Sequence, residues 1–178
     1  MADRFVSWFD KLPRRELEDI TTIVLHATEI PQLDAAWDYA EHSAGEDPVG
    51  VCGHLYIDRD GSWSWFVPID RIANHARGHN KHSVGIELVN NGRYPDHFDS
   101  RNQEPRDPFP ARQLASLKRA LTELRLACPN VTLLVRHSDI DQATRPSSND
   151  RTQRVRRRID PGPQFPWEEI KSGWDAAS

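Results

Sequence analysis

Three residues far apart in this 178-residue chain are of the types that hold a catalytic metal: His26, His137 and Asp160. Two imidazoles and one carboxylate make a nitrogen- and oxygen-rich donor set. Three protein ligands leave a fourth position open, which suits a hydrolytic zinc better than a closed structural one. His26 ends the apolar run Ile23-Val24-Leu25, and His137 ends Leu133-Leu134-Val135-Arg136. Asp160 opens the stiff turn Asp160-Pro161-Gly162-Pro163. In open α/β sheets ligands gather beyond strand ends, which favours both histidines. Each residue also has a plainer reading. A lone histidine is often a hydrogen-bonded, half-buried side chain. An aspartate before proline and glycine serves turns and helix caps. The spacing of the three is too irregular for a local motif such as HExxH.

Glu87 lies inside the otherwise apolar Val84-Gly85-Ile86-Glu87-Leu88-Val89. Under strand alternation it shares a face with Gly85 and Val89. A desolvated glutamate there has a raised pKa and suits a general base towards a metal-activated water. On an edge strand it would simply face solvent. Arg158 stands two positions before Asp160, on the same side of an extended segment, where a permanent cation could stabilise an oxyanion. Alternatively it is one member of a solvated run, since Arg151, Arg154, Arg156, Arg157 and Arg158 crowd together.

The elements that must position these groups alternate between strand and helix. Thr21 to His26 is a continuous apolar run, the mark of a strand buried on both faces. A helix is expected from Pro31, with Leu33, Ala36, Trp37 and Ala40 on one stripe. Leu55-Tyr56-Ile57, the turn Asp60-Gly61 and Trp63 to Val67 read as a hairpin. Val84 to Val89 is a further strand, and residues 93–108 read as a long surface loop. Leu114, Leu117, Leu121 and Leu124 stripe a helix ending near Ala127, and Leu133–Arg136 forms the last strand. A short helix near Trp167–Lys171 closes the chain. The expected fold is a single α/β domain: a central mixed sheet flanked by helices, spanning residues 1–178 with its core at about 20–172 and the metal site in a cleft at strand ends.

Composition sets modest bounds. The chain is 37% hydrophobic and 28% charged with a net charge of -4, which gives no global signal for a nucleic-acid or membrane partner. Cys52 and Cys128 lack metal or framework spacing and read as free thiols in a reducing compartment, with a single disulfide as the alternative. No apolar run approaches a membrane span, and the N-terminus lacks the apolar core of a secretory signal. The product is therefore expected to stay in the cytoplasm unless another machine exports it, and a monomer is expected.

The chain resembles the type 2 N-acetylmuramoyl-L-alanine amidases in six ordered blocks. These are Ile23-Val24-Leu25-His26-Ala27-Thr28; Gly53-His54-Leu55-Tyr56-Ile57-Asp58-Arg59-Asp60-Gly61; Asn74-His75-Ala76-Arg77-Gly78-His79-Asn80; Ser83-Val84-Gly85-Ile86-Glu87-Leu88; His137-Ser138-Asp139-Ile140; and Ile159-Asp160-Pro161-Gly162-Pro163. The resemblance implies one Zn²⁺ on His26, His137 and Asp160, a catalytic Glu87, and Arg158 where many members carry lysine. It implies hydrolysis of the amide between the lactyl group of N-acetylmuramic acid and L-alanine of the stem peptide. His75 falls on a floor-of-cleft histidine usually linked to structure or substrate contact, Thr28 and Asn80 lie in its blocks as substrate-binding positions, and Arg77 and Lys81 are added as cations on the cleft wall. Position 53 is glycine where phage-type members often carry a tyrosine. The stretch from His137 to Asp160 is long and rich in Arg, Ser and Asn, and reads as a surface loop or as a cationic rim that captures stem-peptide carboxylates. The expected partner is a peptidoglycan fragment, with anhydro-muropeptides of wall recycling ahead of polymeric wall. A wall-lytic amidase (a phage endolysin or an exported effector), a non-catalytic peptidoglycan-binding module, or another zinc amidohydrolase is the alternative.

Overall fold

The computed structural model describes residues 2–177. Its frame is a six-stranded mixed sheet of β1 (Ala2–Asp3), β2 (Thr22–Ala27), β3 (Leu55–Ile57), β4 (Trp63–Trp65), β5 (Ser83–Leu88) and β6 (Leu133–Arg136), ordered β1-β4-β3-β5-β2-β6. Strands β3, β5, β2 and β6 are mutually parallel, while β4 runs antiparallel to β3. Helices α1 (Leu33–His42), α2 (Ala111–Ala127), α3 (His137–Ile140) and α4 (Trp167–Ala176) accompany it. This is the single α/β domain with a central mixed sheet that the alternating pattern implies.

Alternation along the strands sorts the chemistry. Ile23, Leu25 and Ala27 of β2, Val84, Ile86 and Leu88 of β5, and Leu55 and Ile57 of β3 all face one side. There they pack on Leu117, Leu121 and Leu124 of α2 and on Ile170 and Trp174 of α4. Each fully buried Leu or Ile on that side contributes about 1.5–3 kcal/mol of transfer energy. The opposite face carries Tyr56 of β3, covered by Ala36 and Ala40 of α1 and by Val6, Trp8 and Leu12 from the N-terminal segment. His26 and Glu87, one step out of phase with Leu25 and Ile86, therefore project to the α1 side. There Ala35, Ala36 and Tyr39 of α1 line a cavity together with His26 and Glu87.

Several boundaries differ from the sequence expectation. Helix α1 starts at Leu33 rather than Pro31, because Gln32 is extended at φ -138° and ψ 145°. Strand β4 stops at Trp65: the next two amides, of Phe66 and Val67, both turn onto the carbonyl of His54. The last helix runs beyond Lys171 to Ala176, since Trp174 buries its ring against the core. Residues before 20 also join the core, as Val6, Trp8 and Leu12 are buried. Part of the 138–159 connection is ordered as a hairpin of β7 (Thr144–Pro146) and β8 (Arg154–Arg156). Cys52 and Cys128 are both free and buried. Among the described residues, no helix is long and apolar enough to cross a membrane.

Candidate active site

The register of the two central strands builds the site. His26 on β2 sits directly opposite Glu87 on β5, which in turn sits opposite Tyr56 on β3. One row across the sheet thus carries an imidazole, a carboxylate and a phenol. His137 arrives from the other side, at the corner where β6 ends and α3 begins. That corner is fixed by Arg136 and Asp139, whose side chains meet at 2.8 Å while the Asp139 carboxylate accepts the Arg136 amide. Asp160 is tied to the same corner through its carbonyl, which accepts the Ser138 amide at 3.0 Å.

The three expected ligands converge. One donor atom from each of His26, His137 and Asp160 lies within 4.8 Å of the others, and all three residues are buried. His26 Nδ1 and His137 Nδ1 approach the same oxygen, Asp160 Oδ2, at 3.2 and 3.0 Å. Asp160 Oδ1 is buried with no hydrogen-bond partner among the described residues. A buried carboxylate oxygen left without a donor is costly, and a cation on this face would satisfy it. Burial lowers the His26 pKa to about 4, so its ring is neutral and able to ligate. The donor set fits a divalent metal.

Glu87 Oε1 stands 3.8 Å from His26 Nδ1. Burial, and then the charge of Asp160, push its pKa up to about 8, while Arg158 pulls the other way. A carboxyl poised near neutrality can exchange protons with a reacting group. Gly53 packs against it so tightly that a Cβ there would fall 2.6 Å from Glu87 Cγ. Arg158 lines the same cavity, and its Nε has no hydrogen-bond partner among the described residues. The cavity holds about 630 Å³, with Tyr39 and Tyr94 on its walls.

The remaining expected residues divide. Thr28 lines the cavity, and its hydroxyl donates to the carbonyl of Ile30 at 2.9 Å. His75 also lines it, but both ring nitrogens already face protein partners, His26 Nε2 at 3.0 Å and Ser83 Oγ at 3.2 Å. Asn80 turns inward, its Oδ1 accepting the amides of His75 and Ala76 at 3.1 and 2.7 Å. Arg77 and Lys81 are exposed and are not among the cavity's lining residues.

Sequence reasoning passed over the supports beneath the site. Arg15 is 7% exposed and donates to the carbonyls of Ile69, Asn80, Lys81 and Ser83, bracing the loop that carries His75. Burial brings its pKa down to about 10. His54, fully buried, accepts the Gly85 amide on Nδ1 at 3.0 Å. Arg93, also fully buried, grips both oxygens of Glu29 at 2.7 Å and donates to the carbonyls of Arg156 and Arg157. It thereby joins the exit of β2 to the segment leading into Arg158 and Asp160. The sequence signal for this pair was faint, a glutamate and an arginine in two polar loops.

Comparison with known proteins places the chain. The family description for N-acetylmuramoyl-L-alanine amidase matches residues 16–163. Among curated proteins, no sequence matches it. Of the solved structures, the N-acetylmuramoyl-L-alanine amidase LysC from Clostridium intestinale URNW superposes with a TM-score of 0.69 at 23% identity, over 98% of this chain and 97% of LysC. The amidase AmiD from E. coli, in complex with the substrate anhydro-N-acetylmuramic acid-L-Ala-D-gamma-Glu-L-Lys, gives 0.64 at 22% identity, over 87% of this chain and 57% of AmiD. The Ph2119 endolysin from Thermus scotoductus MAT2119 bacteriophage gives 0.61 at 19%, over 96% and 99%. At these identities the structures speak to the fold, and the family match speaks to the activity. The chain belongs to the type 2 N-acetylmuramoyl-L-alanine amidase family, and it is an amidase.

Proposed function

We propose that this amidase is zinc-dependent and cleaves the lactyl–L-alanine amide of soluble muropeptides, the 1,6-anhydro forms of wall recycling among them, as a cytoplasmic monomer. The observation that carries the reading is the convergence of His26, His137 and Asp160 beside Glu87 on the wall of one cavity. Zinc on those three residues would supply Lewis acidity to the scissile carbonyl and to the attacking water. Everything else falls to the chain. Glu87 takes the proton from the water and delivers it to the leaving amine nitrogen, a transfer its elevated pKa suits. Arg158 lends positive charge to the oxygen that becomes anionic as the carbonyl turns tetrahedral. Gly53 keeps Glu87 in place by leaving no side chain between them.

A wall-lytic role is the second reading. It is supported by the likeness in fold to the Ph2119 endolysin. Binding without catalysis fits less well, since the chain has Glu87 and all three candidate ligands in contact. Digestion of anhydro-muropeptides and of intact sacculi side by side, read by mass spectrometry together with bound-metal content, tests the proposal. Release of free stem peptide from the soluble substrate at much lower enzyme is expected. Preferential lysis of sacculi would move the chain to the second reading, and release from neither would remove the hydrolytic reading of the site.

A further inference from the structure

A chain of four hydrogen-bonding groups runs from the loop after β4 to the candidate metal ligand, and its direction follows from one end. The carbonyl of His79 can only accept, and Ser83 Oγ lies 2.8 Å from it. The single hydroxyl proton of Ser83 is therefore committed to His79. Ser83 Oγ, 1% exposed as a residue, then has only lone pairs to offer His75 Nε2 at 3.2 Å. So His75 carries its proton on Nε2, and its Nδ1 is a bare acceptor. That acceptor faces His26 Nε2 at 3.0 Å, which must supply the proton. His26 is left with an unprotonated Nδ1, and Nδ1 is the nitrogen turned to Asp160 Oδ2 at 3.2 Å. Two lone pairs aimed at each other are the arrangement a cation between them relieves.

We infer that His75 and Ser83 are positioning residues that fix the tautomer and ring plane of His26, so that its Nδ1 is presented to the metal. His75 is then not a substrate contact, having no free ring nitrogen. The surroundings hold His75 to this task. Its ring packs on β5 where Gly85 leaves room: a Cβ there would come 2.7 Å from Cγ and Nδ1 of His75. Its amide is held by Asn80 Oδ1 at 3.1 Å. The rings of His26 and His75 meet edge-on, with an interplanar angle of 81°. Ligating histidines generally depend on a partner for the second nitrogen, at a cost of about 10–100-fold in metal affinity when it is removed. Here the partner is itself a histidine, and its acceptor state is dictated by a serine.

The inference rests on the zinc reading of the site, and the test separates the two. Nitrogen-15 NMR of the imidazoles in chelator-treated protein at neutral pH reports the tautomers directly, with assignments from Ser83→Ala and His75→Asn. Protons on Nε2 of both His75 and His26 are expected, and a proton on Nδ1 of His75 overturns the inference whether or not zinc binds. Zinc affinity by chelator competition supplies the second arm. His75→Leu is expected to bind about 10–100-fold more weakly. His75→Asn, whose Oδ1 can accept from His26 Nε2, should recover most of the loss, and Ser83→Ala should show a smaller loss in the same direction. Wild-type zinc affinity in His75→Leu, with KM alone raised, would make His75 a substrate contact and overturn the inference. If His75→Leu does not fold, Ser83→Ala and the wild-type spectrum still decide. Failure of the wild type to bind zinc at all would sink the zinc reading and leave the tautomer measurement standing.

Discussion

The two faces of the sheet are built from the same strands and do opposite work. On β5, Val84, Ile86 and Leu88 enter a dry core beneath α2 and α4, while Ser83, Gly85 and Glu87 between them face the cavity side. The dry face is held by transfer energy spread over many side chains, so any one residue is replaceable at a graded cost. Beside the apolar cluster under α1, the cavity face is held by directed contacts with few substitutes, and burial favours the neutral forms of its carboxyl and imidazoles. Stability and chemistry are thus interleaved at every second residue rather than assigned to separate parts of the chain.

The sharpest way to break the contrast is at the metal-facing row. His137→Ala should abolish both zinc retention and turnover. Glu87→Ala should keep zinc and lose about 10²–10⁴-fold in kcat; metal analysis alongside muropeptide hydrolysis distinguishes the two, and near-normal activity of Glu87→Ala would remove it from its role. One residue earlier the outcome reverses. Ile86→Ala, at a fully buried position, should cost about 2–5 kcal/mol in denaturant melts. The protein that remains folded should bind zinc as the wild type does, and a selective loss of zinc would show that the faces are not separable. Gly53→Ala is a smaller perturbation. The added methyl must displace Glu87, so kcat should fall by up to about 10²-fold with zinc content unchanged.

The weakest probe is pH. In metal-stripped protein Glu87 is raised from 4.5 to about 8, chiefly by burial. A carboxyl raised in the folded state contributes stability that is complete below about pH 4.5 and lost as pH climbs through about 8. Glu87→Gln cannot ionise and should lose less stability than the wild type across that window, whereas Ile86→Ala should follow the wild-type slope. Equal slopes for wild type and Glu87→Gln would show that Glu87 is not held up.

How much of this was legible in the sequence follows from the same division. Strand β2 was readable because Thr21 to His26 reads as one apolar run, within one residue of the strand's bounds, and α2 because its leucines recur at helical spacing. His26, His137 and Glu87 stood out as polar residues closing or interrupting such runs, and Asp160 as the residue opening a Pro-Gly-Pro turn. The β7–β8 hairpin was hidden, since only Val155 of its six strand residues is buried. Its order comes from distant partners, such as Ser147 donating to the carbonyl of Phe98 and Arg145 lying 3.9 Å over the Phe98 ring. Arg15 was hidden for a similar reason: its carbonyl partners lie more than fifty positions away, and backbone acceptors leave no mark on residue type.

The Arg93–Glu29 pair has a consequence for how this protein can vary. Arg93 is 0% exposed, and its partner's side chain is 6% exposed. Loss of either member strands the other's charge at about 3–5 kcal/mol, while replacing both with apolar residues of matched size can be close to neutral. Neither position can therefore drift alone. The two loops that carry them, one leaving β2 and one leaving β5, are bound to change as a single heritable unit, and a graft that moves one loop into a relative will have to carry the other with it.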